Sequence, residues 1–265
     1  MKLMKVILRM LCFLAIILNT RLQNLIEFYV FPVLFMIPDF VKKLFTGTLR
    51  SILICQKCGC KRTQTESFLS ISLPLTKESP TSTDNVTEKG TKSSPRSIMQ
   101  SVEICLQRFT QPETLADHVH CSSCDTKTKT LKQHTFSKLP KVLCLHLKRF
   151  DAATNKKITE LVSFPAYGLD MGSHLPHWSE KMQEQGEPHS GTSRDCVESP
   201  TVLYDLFGTV NHKGSLNQGH YVANVKSGEQ WYNCNDAHIS KAGEGNGEKA
   251  VLQSDGAYML FYVHR

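Results

Sequence analysis

No glycine precedes Gly47 in this 265-residue chain. That absence excludes a tight glycine-lined loop from everything before it. An uninterrupted apolar run is missing as well. Val6 to Leu18 contains Arg9, and Leu25 to Phe40 contains Glu27, Pro32, Pro38 and Asp39. Neither stretch provides the roughly 20 apolar residues of a membrane-spanning helix, so a membrane partner is not expected. Lys2 and Lys5 ahead of Met10 to Leu18 have the layout of a signal peptide or anchor, but the small-residue cleavage pattern is lacking. There is no long basic block either. The formal net charge of +7 is scattered along the chain and does not indicate direct nucleic-acid binding.

What the chain does have is an apolar fraction of 40%, enough for a real core, and ten cysteines. Cys55 with Cys58 and Cys121 with Cys124 form two CxxC pairs, the spacing of zinc ligands. Four thiolates complete a tetrahedral structural zinc and leave no position for a reactive water. Lengthening the intervening loop from about 18 to about 62 residues costs only about 1 kcal/mol of closure entropy. Structural zinc returns roughly 10 to 16 kcal/mol, so the spacer does not exclude the site. A redox CxxC or four unrelated cysteines is the competing reading, and Cys60 and His120 lie close by as substitute ligands. Cys12, Cys60, Cys105, Cys144, Cys196 and Cys234 show no paired pattern. Metal thiolates with unpaired thiols indicate a reducing compartment, nucleus or cytoplasm.

The chain divides into an atypical apolar segment, residues 1–43, and a globular region, 44–265. Within the latter, Lys77 to Ser101 and Gly172 to Pro200 are polar and read as solvated insertions. The sequon Asn85-Val86-Thr87 in the first would go unused in a reducing compartment. Leu49 to Leu53 and Phe68 to Leu73 read as short strands flanking the first CxxC, the arm of a zinc ribbon. Ser101 is placed to cap a helix carrying Val102, Cys105, Leu106 and Phe109, with a further turn beginning within Thr110 to Leu115. Thr126 to Ser137 is polar and β-prone. Lys141 to Phe150 alternates as a half-buried strand, and another strand runs through Val162 and Phe164.

The most telling chemistry lies near the C-terminus. Leu203 to Val210 and His220 to Val225 read as strands joined by a glycine-containing turn, Asn211 to Gln218, and Trp231 to Asp236 reads as the next strand. His220 thus starts a strand beside Gly219, which permits close approach of another backbone. Alternation turns Asn235 and Asp236 to opposite faces, so one of them reaches the imidazole. Asn235 is expected to accept the Nδ1 proton and leave Nε2 to take a proton from a thiol. A core histidine in a hairpin is the plainer alternative.

These residues resemble the ubiquitin-specific cysteine proteases. The resemblance is carried by Leu44-Phe45-Thr46-Gly47, Phe68 to Leu73, CLQRFTQPE from Cys105 to Glu113, LPKVLCLHLKRF from Leu139 to Phe150 with VSFP from Val162 to Pro165, and the final NHKGSLNQGHY, WYNCND and GAYMLFY. In detail it is nearest the SAGA-type histone H2B deubiquitinases. The resemblance implies an α+β, papain-like fold of fingers (about 44–138) and palm (about 139–265), mainly antiparallel β with a zinc ribbon. It implies catalytic roles for His220, Asn235 and Asp236, zinc on Cys55, Cys58, Cys121 and Cys124, and a channel for ubiquitin's Gly-Gly terminus bordered by Gly219 and Tyr221. The implied partners are ubiquitin or a ubiquitinated protein such as a histone, and coactivator-complex subunits.

The chain departs from that family in two places. Nothing before Val41 matches the Gly- and Asn-rich cysteine box, and the helical thumb has no counterpart. Cys12 lies between Leu11 and Phe13, where burial would raise its pKa, and Cys234 should face away from Asn235. Two functions compete: a thiol hydrolase of ubiquitin isopeptide bonds that is inactive in this form, and a non-catalytic ubiquitin-binding or scaffolding module.

Overall fold

The computed structural model describes residues 39–75, 100–151, 156–176, 200–215, 218–242, 251–252 and 256–265. Cys12, Cys196, the sequon at 85–87, most of both polar insertions and nearly all of the apolar N-terminal segment lie outside them. Among the described residues no helix is long and apolar enough to cross a membrane.

The first element among the described residues is a short helix, α1 (Asp39–Phe45), closed where Thr46 donates both its amide and its hydroxyl to the Lys42 carbonyl. Its last residue, Phe45, is buried edge-on against Phe261, 6.5 Å away, and ties the helix to the large sheet. A four-stranded sheet follows, with strand order β2 (Lys61–Phe68), β1 (Gly47–Cys55), β8 (Thr130–Lys138) and β5 (Glu113–Thr114). At its far end β6 (Val119–Cys121) and β7 (Thr126–Thr128) form a small ribbon.

The arm beside the first CxxC is therefore β1 with β2, and the stretch Phe68 to Leu73 is not one strand. β2 ends at Phe68, and β3 (Ile71–Pro74) leaves the arm to pair in parallel with β9 (Val142–Lys148) in the large sheet. The reason is burial. Lys61 to Ser67 is polar and exposed on both faces, so it carries no apolar alternation, whereas Ile71 and Leu73 belong in a core.

The large sheet runs β17 (His238–Lys241), β16 (Gln230–Asn235), β15 (Gly219–Ser227), β14 (Leu203–Gly214), β18 (Ala257–His264), β9 and β3, with β13 (Leu169–Asp170) also paired to β14. Side-chain alternation splits its core in two. Leu143, Leu145, Leu147, Leu206, Leu260 and Tyr262 face one side, where the helix α2 (Val102–Thr110) presents Val102, Cys105 and Leu106. Val142, Cys144, Phe207, Val210, Tyr221, Ala223 and Phe261 face the other, with Phe45. β9 is thus covered on both faces, not half-buried. Its Val142 and Cys144 read as the weaker face, but they fill the second core.

Ser101 does cap α2, its Oγ accepting from the amide of Ile104 at 3.2 Å. The expected extra turn beyond Thr110 is absent. The helix closes with the Gln111 amide donating to the Gln107 carbonyl, and Glu113 and Thr114 instead pair with Lys132 and Leu131. Val162–Ser163 forms only a two-residue strand, parallel to Gln100–Ser101. β14 outlasts its expected end at Val210, because Asn211, His212 and Lys213 continue the ladder with β15.

Candidate active site and metal centre

Two separate clusters of chemically active side chains stand out, one on each of the two larger sheets. At the tip of the four-stranded sheet the sulfurs of Cys55, Cys58, Cys121 and Cys124 all lie within 4.8 Å of one another. The Sγ of Cys55 is 3.9 Å from that of Cys124, and the Sγ of Cys58 is 3.6 Å from that of Cys121. Four sulfurs about 2.3 Å from a tetrahedral zinc sit about 3.8 Å apart, so this donor set fits zinc. Its surroundings favour the thiolate at Cys55 and Cys121, whereas Cys58, although the Cys60 amide pulls it down, is raised to about 11 by the neighbouring sulfurs. The Thr128 hydroxyl, 3.2 Å from Cys55 Sγ, and the Cys58 amide pull the Cys55 thiol down to about 6. The amides of Cys124 and Ser123 lower that of Cys121. Neither substitute is drawn in: Cys60 is outside the cluster, and His120 Nε2 lies 3.1 Å from Asp125 Oδ1.

In the large sheet, β15 and β16 carry His220 and Asn235. Their register pairs Ala223 with Cys234, which places Asn235 diagonally across from His220 on one face, and Tyr221, Ala223 and Cys234 on the other. The Cys234 thiol is accordingly buried in the second core, turned away from the imidazole as expected. His220 Nε2 lies 2.5 Å from Asn235 Oδ1 and 4.0 Å from Asp236 Oδ2.

Two expectations change here. Asn235 meets Nε2, not Nδ1. Asp236 does not turn to the opposite face. The strand ends at Asn235, and Asp236 adopts a left-handed backbone with φ of 50°, which swings its carboxylate back toward the ring. With Asn235 Oδ1 accepting, the Nε2 proton is held and the Nδ1 lone pair is available. Among the described residues the imidazole's side-chain partners are Asn235 and Asp236, and no sulfur is one of them.

The structure also separates the two residues expected at a substrate channel. Gly219 is exposed, but Tyr221 is buried, its ring 4.6 Å from that of His212 and 5.7 Å from that of Tyr258. Tyr221 is core beneath the site, as the inward position next to His220 on a strand requires.

A profile of the family described as ubiquitin carboxyl-terminal hydrolase matches residues 34–262. The chain belongs to that family. Human ubiquitin carboxyl-terminal hydrolase 22 is 37% identical over 234 residues, covering 84% of this chain and 42% of that protein. Mouse ubiquitin carboxyl-terminal hydrolase 51 is 37% identical over 231 residues, covering 85% and 33%. Among solved structures, the SAGA Ubp8/Sgf11/Sus1/Sgf73 DUB module bound to ubiquitin aldehyde superposes with a TM-score of 0.62 at 30% identity, over 85% of this chain and 42% of that one. The chain thus spans less than half the length of these hydrolases, and the likeness to SAGA-type members is supported by both sequence and fold. The largely antiparallel sheets with few helices are those of the ubiquitin-specific protease fold.

Three residues that the sequence did not single out hold neighbouring segments together. Arg149, wholly buried, donates through Nε to the Ala257 carbonyl at 2.5 Å, and through Nη1 to those of Ile158 at 3.0 Å and Glu160 at 2.9 Å. Lys157 and His212 pack at the turn that precedes Gly219. A charged residue inside an apolar strand, as in Leu147-Lys148-Arg149-Phe150, was the available signal for the first. His212 gave none, because it alternates with the polar Asn211 and Lys213.

Proposed function

We propose that residues 219–236 are the proton-accepting half of a thiol-dependent ubiquitin hydrolase site, and that the chain in this form binds ubiquitin without cleaving it. The observation that carries the reading is the contact between His220 Nε2 and Asn235 Oδ1 with no described sulfur at the other nitrogen. Asn235 fixes the tautomer, so that Nδ1 can take the proton of an attacking thiol. The Asp236 carboxylate, 4.0 Å away, then stabilises the resulting imidazolium. Gly219, exposed beside His220, would border the channel for the glycine tail of ubiquitin. Without a thiol the remaining groups cannot compensate, and turnover falls on the order of a millionfold.

Cys55, Cys58, Cys121 and Cys124 would hold a structural zinc, which when bound fixes the fingers and offers no open coordination position. In this reading fingers and palm follow the two sheets, with Ile71–Pro74 contributing to the palm although it lies between finger strands in sequence. Ubiquitin, a ubiquitinated protein such as a histone, and coactivator subunits are the proposed partners, supported by the SAGA modules to which the fold is similar. Nucleus or cytoplasm is the proposed location.

Calorimetry with ubiquitin and a fluorogenic ubiquitin ester or amide test this together. Saturable binding without turnover above background is expected. Failure to bind ubiquitin would overturn the reading, and so would turnover abolished by His220→Ala.

A further inference from the structure

The turn that carries Gly219 and His220 is held from below by two residues with no place in the proton transfer. Lys157 Nζ donates to the carbonyl of His212 at 2.7 Å and to that of Gly214 at 3.2 Å. Those residues close β14, and they pair across the hairpin with Tyr221 and Gly219. Lys157 is itself fixed. It lies in β11 (Lys156–Lys157), opposite Phe150 of β10 (Phe150–Asp151), and this small hairpin is anchored by the buried Arg149 next to Phe150.

The His212 ring sits directly under Gly219. It is 1% exposed, and a Cβ added to Gly219 would stand 1.9 Å from its Nε2. Phe150 and Tyr221 enclose it, with ring centres 5.5 Å and 4.6 Å away. Neither ring nitrogen has a hydrogen-bond partner among the described residues. Burial and the Lys157 charge hold it neutral, lowering its pKa to about 4. Packing alone does not account for such a residue. A phenyl ring would fill the same space without burying two unpaired nitrogens, which is costly. The imidazole edge is thin enough to let Gly219 lie on it, and Lys157 keeps the strand end from lifting away. The next residue, His220, then reaches Asn235.

We propose that Lys157 and His212 are positioning residues for His220: the lysine clamps the end of β14, and the buried ring beneath Gly219 sets the height at which the His220 imidazole meets Asn235. The inference rests on His220 being the proton acceptor. Neither residue touches substrate or the reacting atoms in this account.

The test is nitrogen-15 NMR of the histidine rings in the zinc-loaded full chain, which reads the tautomer of His220. In the unmodified chain the Nε2–H form should dominate. Lys157→Met should reduce the tautomer ratio about fivefold, the equivalent of one weakened hydrogen bond. Lys157→Arg should restore most of it, with zinc content and melting temperature unchanged. Gly219→Ala, which crowds the same contact from above, should move the ratio in the same direction. An unchanged ratio in both Lys157→Met and Gly219→Ala would overturn the proposal. So would a changed ratio that appears only with loss of zinc or of the folded palm, because the role would then be structural. Absence of the Nε2–H tautomer in the unmodified chain would instead remove the reading of His220 itself, ubiquitin binding remaining a separate measurement.

Discussion

At the scale of single residues, the site depends on where strands stop. His220 and Asn235 were legible from their segments, but the ring atom that joins them was not. That atom depends on the diagonal register of β15 and β16 and on Asp236 leaving the strand with a positive φ. Local alternation cannot foresee a backbone reversal one residue past a strand end. Arg149 shows the opposite case, a residue that motif reading placed in the palm strand without its task. Its guanidinium satisfies three carbonyls from two separate segments, Ala257 in one and Ile158 and Glu160 in the other. Arg149→Leu would strand these acceptors in the core. It should cost about 3 kcal/mol, read as a lowered midpoint in urea unfolding, since several buried acceptors lose a charged donor together. A midpoint within experimental error of the unmodified protein would contradict this.

Among the elements, those with periodic apolar residues were legible and those without were not. The helix α2 was readable to its cap because Val102, Cys105 and Leu106 recur at helical spacing behind Ser101, and all three are buried. Ser101→Ala removes the acceptor for the Ile104 amide and should cost about 1 kcal/mol in chemical denaturation, while Ser101→Asp should retain most of the stability. β2 was invisible because the run Lys61 to Ser67 has no buried face. It is a strand through its ladder with β1, from Gly47 opposite Phe68 to Ile54 opposite Lys61. The tip of that sheet has little apolar cover and depends on its four sulfurs. One zinc per chain is therefore expected by elemental analysis. Chelation should abolish amide protection around residues 55–60 and 119–128 while leaving β14 and β18 protected. Uniform loss of protection across both sheets would show that the metal supports the whole fold and not its tip.

For the molecule as a whole, family membership was readable from five short segments, while the two-sided core was not. Leu143 and Val142 look like a strong and a weak face of one strand until helices and strands from distant parts of the sequence cover both. One consequence is a pair of neutral imidazoles, His212 buried and His146 half-buried. Burial and the Lys148 charge lower His146 to about 4, and burial and Lys157 do the same for His212. Because these folded values lie below the unfolded value of about 6.5, the unfolded chain binds more protons as pH falls through that range. Stability from these groups is fully present above pH 6.5 and is lost progressively between about 6.5 and 4. His146→Phe should make the melting temperature fall less steeply between pH 7 and 5, and an equally steep fall would contradict the account. The larger proposal is that this hydrolase-family chain keeps a proton acceptor and a thiolate cluster while, among the described residues, no sulfur stands at His220. The most direct test is to incubate the purified 265-residue protein with a ubiquitin probe that captures reactive thiols, followed by intact-mass analysis. No adduct is expected, with ubiquitin itself still bound. A covalent adduct at any cysteine, lost in His220→Ala, would contradict it.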